Sequence, residues 1–159
     1  MIQENNTAIQ LIDNLQNLRY SNLDQDTFTK EYLENIYYLL NAHSLVYLRC
    51  KNDHWKILKA INTGENISSS LNNIIIESSQ IALKNKFSYQ QVREKIDNLK
   101  KPMVISFLLK TTEPEVVCFL YEYSSKEDLN NTILKIGKEL IFIAYRHIFH
   151  IKRTIIMSS

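Results

Sequence analysis

His147 and His150 stand three residues apart near the end of the chain, a spacing that on a helix can present two ligands to one metal ion. A metal site needs further ligands, and the surrounding sequence supplies no carboxylate or thiolate, so the pair reads as an amphipathic helix end. Cys50 and His54 straddle a polar turn and read still less as an imidazole-activated nucleophile. Arg49 is the stronger candidate. In β-rich sequence shared with Tyr47, Trp55, Phe107 and Tyr121, it would offer a cation to an anionic ligand inside an aromatic pocket. The plainer alternative is an edge-strand arginine facing water, and alternation does not choose because both strand faces are apolar. His43 reads as a cation closing a helix. No nucleophile and general base come together, so the expectation is a protein that is not an enzyme.

Two hairpins must position these residues. Leu45-Val-Tyr-Leu-Arg-Cys50 and Trp55-Lys-Ile-Leu-Lys-Ala-Ile61 are β-rich segments that turn at Asn52-Asp53. Strict alternation places Trp55, Ile57 and Lys59 on one face, with Lys56, Leu58 and Ala60 on the other. Met103 to Tyr123 forms the second hairpin, turning at Glu113-Pro114. Neither hairpin has a polar face, so the sheet must be covered on both sides.

Helical patterns surround the strands. Ile9, Ile12, Leu15 and Leu18 recur every three residues, Arg19 to Gln25 is a polar connector, and Asp26 is a candidate cap for a helix through Leu40. A helix is predicted from Leu71 to Lys86, with Asn85 at its left-handed end. The capping-box spacing of Ser88 with Gln91, and Val92, Ile96 and Leu99 after it, predict a further short helix over 89–100. The last helix opens at Ser124 or Ser125, with Glu127 or Asp128 three residues on. Its stripe of Ile133, Ile136, Leu140, Ile143 and His147 is widened by Leu134, Ile141, Ala144, Ile148 and Ile151 beyond one packing face. The surplus predicts a partner helix from a second subunit, so that stripe is the expected interface.

Composition excludes several function classes. A length of 159 residues suits a single domain, and a net charge of +2 gives no general affinity for nucleic acid. With Gly64 and Gly137 as its two glycines, the chain cannot build a phosphate-cradling loop. Cys50 and Cys118 read as small strand hydrophobes, which suits a reducing cytoplasm. Residues 1–10 lack a signal-peptide pattern, and no apolar run approaches the roughly 20 residues of a membrane span. Lys152-Arg153 before Thr-Ile-Ile-Met reads either as a frayed helix end or as a step towards a membrane helix or signalling coiled coil beyond residue 159.

The order hairpin, helix, hairpin, long helix resembles a GAF domain over residues 26–150. The carrying stretches are Leu40-Asn-Ala-His-Ser-Leu-Val-Tyr-Leu, Pro102-Met-Val-Ile-Ser-Phe-Leu-Leu, and Val116-Val-Cys-Phe-Leu-Tyr-Glu-Tyr followed by Asp128-Leu129. The resemblance implies an α+β fold: a central antiparallel sheet, terminal helices on one face, connecting helices and loops on the other. Residues 1–25 would be an N-terminal helix and connector, and 151–159 a tail. It also implies a sensory or dimerisation role. The chain departs from the family's ligand-binding patterns. Asn85-Lys86-Phe87 does not continue as a cyclic-nucleotide signature, and no cysteine lies between Cys50 and Cys118 for a sulfoxide-reductase site. Cys118 stands where many members have glycine.

The expectation is therefore a cytoplasmic, non-enzymatic GAF-like module, homodimeric through its terminal helices. Any small-molecule ligand, of unknown identity, would sit among Tyr47, Arg49, Trp55, Phe107 and Tyr121, with no metal. A secretion-chaperone-like adaptor that dimerises around a client protein is the alternative, against which stand a pI of about 8.4 and two strands before the central helix where three are usual. PAS- and roadblock-like sheets would also fit the composition.

Overall fold

Asn52 and Asp53 both adopt left-handed backbone, at φ 52° and 62°. Two such residues in succession form a type I′ turn, whose twist matches the strands it joins. It links β1 (Ser44–Lys51) to β2 (His54–Ile61). Asp and Asn tolerate this conformation better than other non-glycine residues, so the turn chemistry sits where the sequence placed it. The computed structural model describes residues 2–63 and 69–158, with side chains at 9–63 and 71–143. The second hairpin joins β4 (Pro102–Lys110) to β5 (Glu115–Glu122), and β5 pairs with β1 from Ser44↔Leu120 to Arg49↔Glu115. All pairings are antiparallel, in the order β2-β1-β5-β4-β3. With four helices and one five-stranded antiparallel sheet among the described residues, the fold class is α+β, as expected.

Ala42–Lys135 forms one compact unit. Within it α3 (Ser69–Asn85) covers one sheet face, burying Leu71, Ile75 and Ala82 against Val46, Leu48, Val104, Val116, Cys118 and Leu120. The alternate residues Leu45, Tyr47, Ile105, Val117 and Phe119 are buried as well, so the doubly apolar strands are doubly buried. Ser125 Oγ accepts from Asp128 N, and the Asp128 carboxylate accepts from Ser124 N, starting α4 (Lys126–Ser158) at the predicted serines.

Met1–Asn41 with Ile136–Ser159 forms the other unit. It contains α1 (Ile2–Arg19), α2 (Gln25–Leu40) and the rest of α4. Arg19 reaches Tyr32 Oη at 3.1 Å and Glu139 Oε2 at 2.9 Å, while its guanidinium lies 3.6 Å from the Phe142 ring centroid. Tyr32 Oη also donates to Glu139, and burial pushes this phenol above its usual range. One arginine thus ties all three helices.

Several expectations are corrected. Residues 89–100 are not a helix. Phe87–Gln91 is strand β3, paired with β4 from Phe87↔Phe107 to Gln91↔Met103, and the following residues are irregular. Ladder bonds to β4 outweigh the local capping signal, and Val92, Ile96 and Leu99 reach the core without helical backbone. The α2 cap is Asp24, which accepts from Thr27 N, rather than Asp26. At the end of α3 the left-handed residue is Lys86, at φ 74°, rather than Asn85. His43 closes no helix, since α2 ends at Leu40 with Asn41 as its left-handed cap. A register shift between Tyr47 and Leu48 pairs Tyr47 with Lys59 but Leu48 with Ile57. Lys59 and Ile57 therefore face opposite sides, against strict alternation.

Candidate functional site

Arg49 lies opposite Glu115 in the β1–β5 ladder, on the face away from α3. Its Nε and a terminal nitrogen reach Glu115 Oε2 at 2.9 and 2.8 Å, and Tyr47 Oη donates to Glu115 Oε1. Glu115 is buried, so this buried carboxylate is held by a guanidinium and a phenol. The cation expected to meet a ligand meets a residue of its own chain. Phe107 lies in the same cross-strand row as Tyr47, through Val117. Tyr121 is six residues from Glu115 along β5, roughly 20 Å. Its hydroxyl donates to Asp128 at 2.8 Å and accepts from Thr132, and burial raises its pKa. Trp55 pairs with Cys50 and packs on the other face, with the α3 core. The structure thus brings Tyr47 and Arg49 together, with Phe107 two strands away, and sets Trp55 and Tyr121 apart.

On the α3 face a small cavity is lined by Ser44, Val46, Thr63, Leu71, Ile75, Val104, Cys118 and Leu120. Its volume is about 10 Å³, the space of about one water molecule. Beside it, Ser78 Oγ meets Ser106 Oγ at 2.7 Å and Ser88 Oγ at 3.2 Å, and the Cys118 sulfur accepts from Ser106. Ser79 Oγ donates to Ile75 O. These serines are buried and mutually satisfied, so they let α3 approach the sheet closely without leaving an unpaired polar group. Burial pushes the Cys118 thiol up, away from nucleophile chemistry. Ser78 and Ser79 at buried helix positions were the available sequence signal, and periodicity passed over them because it scores apolar residues.

A third cluster was not anticipated. His43 Nε2 lies 2.6 Å from Asp97 Oδ2, and its Nδ1 lies 2.6 Å from Ser44 Oγ. Serine, histidine and aspartate in line have the composition of an acyl-transfer triad, but the proton is committed elsewhere. Ser44 Oγ donates to Asn62 O at 2.8 Å, and Asn62 Nδ2 donates back to His43 O. A hydroxyl that gives its proton to a carbonyl accepts from the imidazole instead of being activated by it. The cluster is a clasp joining the start of β1, the end of β2 and the segment before β4. Asp97 at φ 44° and Asn62 at φ 55° adopt the left-handed backbone that holds it.

Of the expected interface stripe, Ile136, Leu140 and Ile143 are buried and Ile133 is half-buried. The His147 and His150 side chains lie outside the described residues. Among its described residues, the large apolar side chains that α4 leaves most exposed are Leu134 and Ile141, both 64% exposed and seven residues apart. Among the described residues no group of three His, Cys, Asp or Glu could hold a metal ion, and no helix is long and apolar enough to cross a membrane.

No protein-family model and no curated protein matches this sequence. Solved structures match its fold. The nlh2 GAF domain of A. aeolicus, in an inactive state, aligns at TM-score 0.57 and 16% identity, over 88% of this chain and 97% of that one. Residues 122–287 of a methyl-accepting chemotaxis protein align at TM-score 0.54 and 9% identity, over 87% of this chain and 96% of that one. The chain therefore has a GAF-like fold.

Proposed function

We propose that this GAF-like domain is a non-enzymatic sensory or dimerisation module whose terminal helices, α1 and α4, join two copies. The observation that carries the reading is α4. It runs for 33 residues and still exposes Leu134 and Ile141 after its stripe through Ile136, Leu140 and Ile143 is buried within the chain. A spacing of seven residues puts two exposed apolar side chains on one helix face, as like positions of a helix-to-helix seam would be. Ile9 and Ile12 on α1 are also exposed and would extend it. The chemotaxis-protein fragment of the same fold supports a signalling setting.

The cavity beside α3 holds about one water, so a ligand there would have to move α3 from the sheet. Such a movement is how binding would be transmitted if it occurs. Arg49, neutralised by Glu115, is a stabilising group first. The commitment of the Ser44 proton to Asn62 supports the non-catalytic reading. Analytical ultracentrifugation of the chain and of a Leu134→Glu/Ile141→Glu variant tests the proposal. The parent should sediment as a dimer and the variant as a folded monomer.

A further inference from the structure

β3 is one of the two outer strands of the sheet, opposite β2, and its register decides which backbone groups face outwards. Lys86 O accepts from Leu108 N at 2.8 Å, and Val92 N donates to Pro102 O at 2.9 Å. In an antiparallel pair, alternate residues bond to the neighbour. Residues 86, 88, 90 and 92 thus face β4, and Phe87, Tyr89 and Gln91 turn N–H and C=O away from the sheet. None of those three makes another backbone bond among the described residues. Phe87 and Tyr89 also carry exposed rings, 41% and 53% exposed, with centroids 6.5 Å apart. Phe87 stacks on Phe107 at 6.3 Å. An open edge lined by aromatic rings is a feature sheets ordinarily avoid.

Charge flanks this edge at both ends. Lys84 and Lys86 precede it; Arg93, Lys95, Lys100 and Lys101 follow it, all exposed. None of these six is in an ion pair among the described residues. The acids in the same stretch are Glu94 and Asp97, the latter engaged by His43, in a chain whose total is only +2.

We propose that β3 is a docking edge for an extended acidic peptide segment of a partner protein. The segment adds as a sixth strand, sets alternate apolar side chains on Phe87 and Tyr89, and brings its carboxylates to the flanking cations. A second copy pairing edge to edge would oppose the same cations to one another. A nucleic-acid strand would use the rings and charges but leave the outward N–H and C=O groups without ladder partners, which favours the peptide.

The test titrates the isotope-labelled chain with three probes while amide resonances are followed. They are a heptapeptide with Val at alternate positions and Glu between, the same peptide with Lys for Glu, and an oligothymidylate. Saturable shifts centred on residues 86–92 are expected with the acidic peptide alone, weakening as salt is raised. Tyr89→Pro removes an outward N–H that the sheet does not use and should lower affinity about tenfold. Lys86→Glu with Arg93→Glu should do so to a similar extent. If Tyr89→Pro fails to fold by its thermal melt, Tyr89→Ser takes its place. Equal binding of acidic and basic peptides, shifts centred elsewhere, binding of the oligothymidylate in place of the peptide, or no binding overturns the proposal.

Discussion

Two cysteines and one aspartate separate by environment in ways that can be measured. Cys118 is fully buried, with its thiol pushed up by burial, whereas Cys50 is half-exposed near a hairpin turn. Cys50 should react with a thiol reagent in the folded protein, and Cys118 only as fast as the core opens, so labelling followed by mass mapping should give two rates. Asp128 is held below the usual carboxylate range by the Ser124 backbone N–H first, then by the Tyr121 hydroxyl. A depressed folded pKa contributes stability above the ordinary carboxylate range, about pH 4, and loses it as pH falls through the folded value. Asp128→Asn should therefore show a shallower fall in melting temperature on the acid side than the parent. This cap was legible as Ser-Ser with an acid three residues on. The His43–Asp97 pair was not, since 54 residues separate its members and only the chain path between β3 and β4 brings them together.

Register decides the elements. The Asn52-Asp53 and Glu113-Pro114 turns could be read directly, because each needs a conformation that few residues accept. What lies across from what could not: the shift at Tyr47/Leu48 moves Trp55 and Lys59 to opposite faces, and it leaves no mark in the sequence. The Arg49–Glu115 pair follows from the β1–β5 register for the same reason. Arg49→Met would leave the buried Glu115 carboxylate with Tyr47 alone and should cost about 2 kcal/mol in urea unfolding, less than a fully buried pair because Arg49 is partly exposed. Strand β3 escaped because Phe-Ser-Tyr-Gln-Gln is short and carries polar residues at three of its five positions, while Ser88 imitated a helix cap. In the structure Ser88 faces the buried serine group instead. On α4 a Cβ at Gly137 would meet nothing within 4 Å. Gly137→Ala should therefore stabilise the chain by about 0.5–1 kcal/mol, seen as a higher urea midpoint.

At the scale of the whole molecule, the proposed dimer gives a partner to the part of α4 that the chain leaves exposed. The sequence marked Leu134 and Ile141 among the residues that widen the stripe, but a stripe wide enough to serve two surfaces does not say which part the chain keeps for itself. Ile136, Leu140 and Ile143 are kept; Leu134 and Ile141 are left. The most direct measurement is the native mass of the purified chain at micromolar concentration, taken beside the Leu134→Glu/Ile141→Glu variant. A dimer of 18.7 kDa subunits that the paired substitution dissolves without loss of helical content is the predicted result. A parent chain that stays monomeric at 18.7 kDa, or a dimer indifferent to the substitutions, would contradict the proposed role of α4.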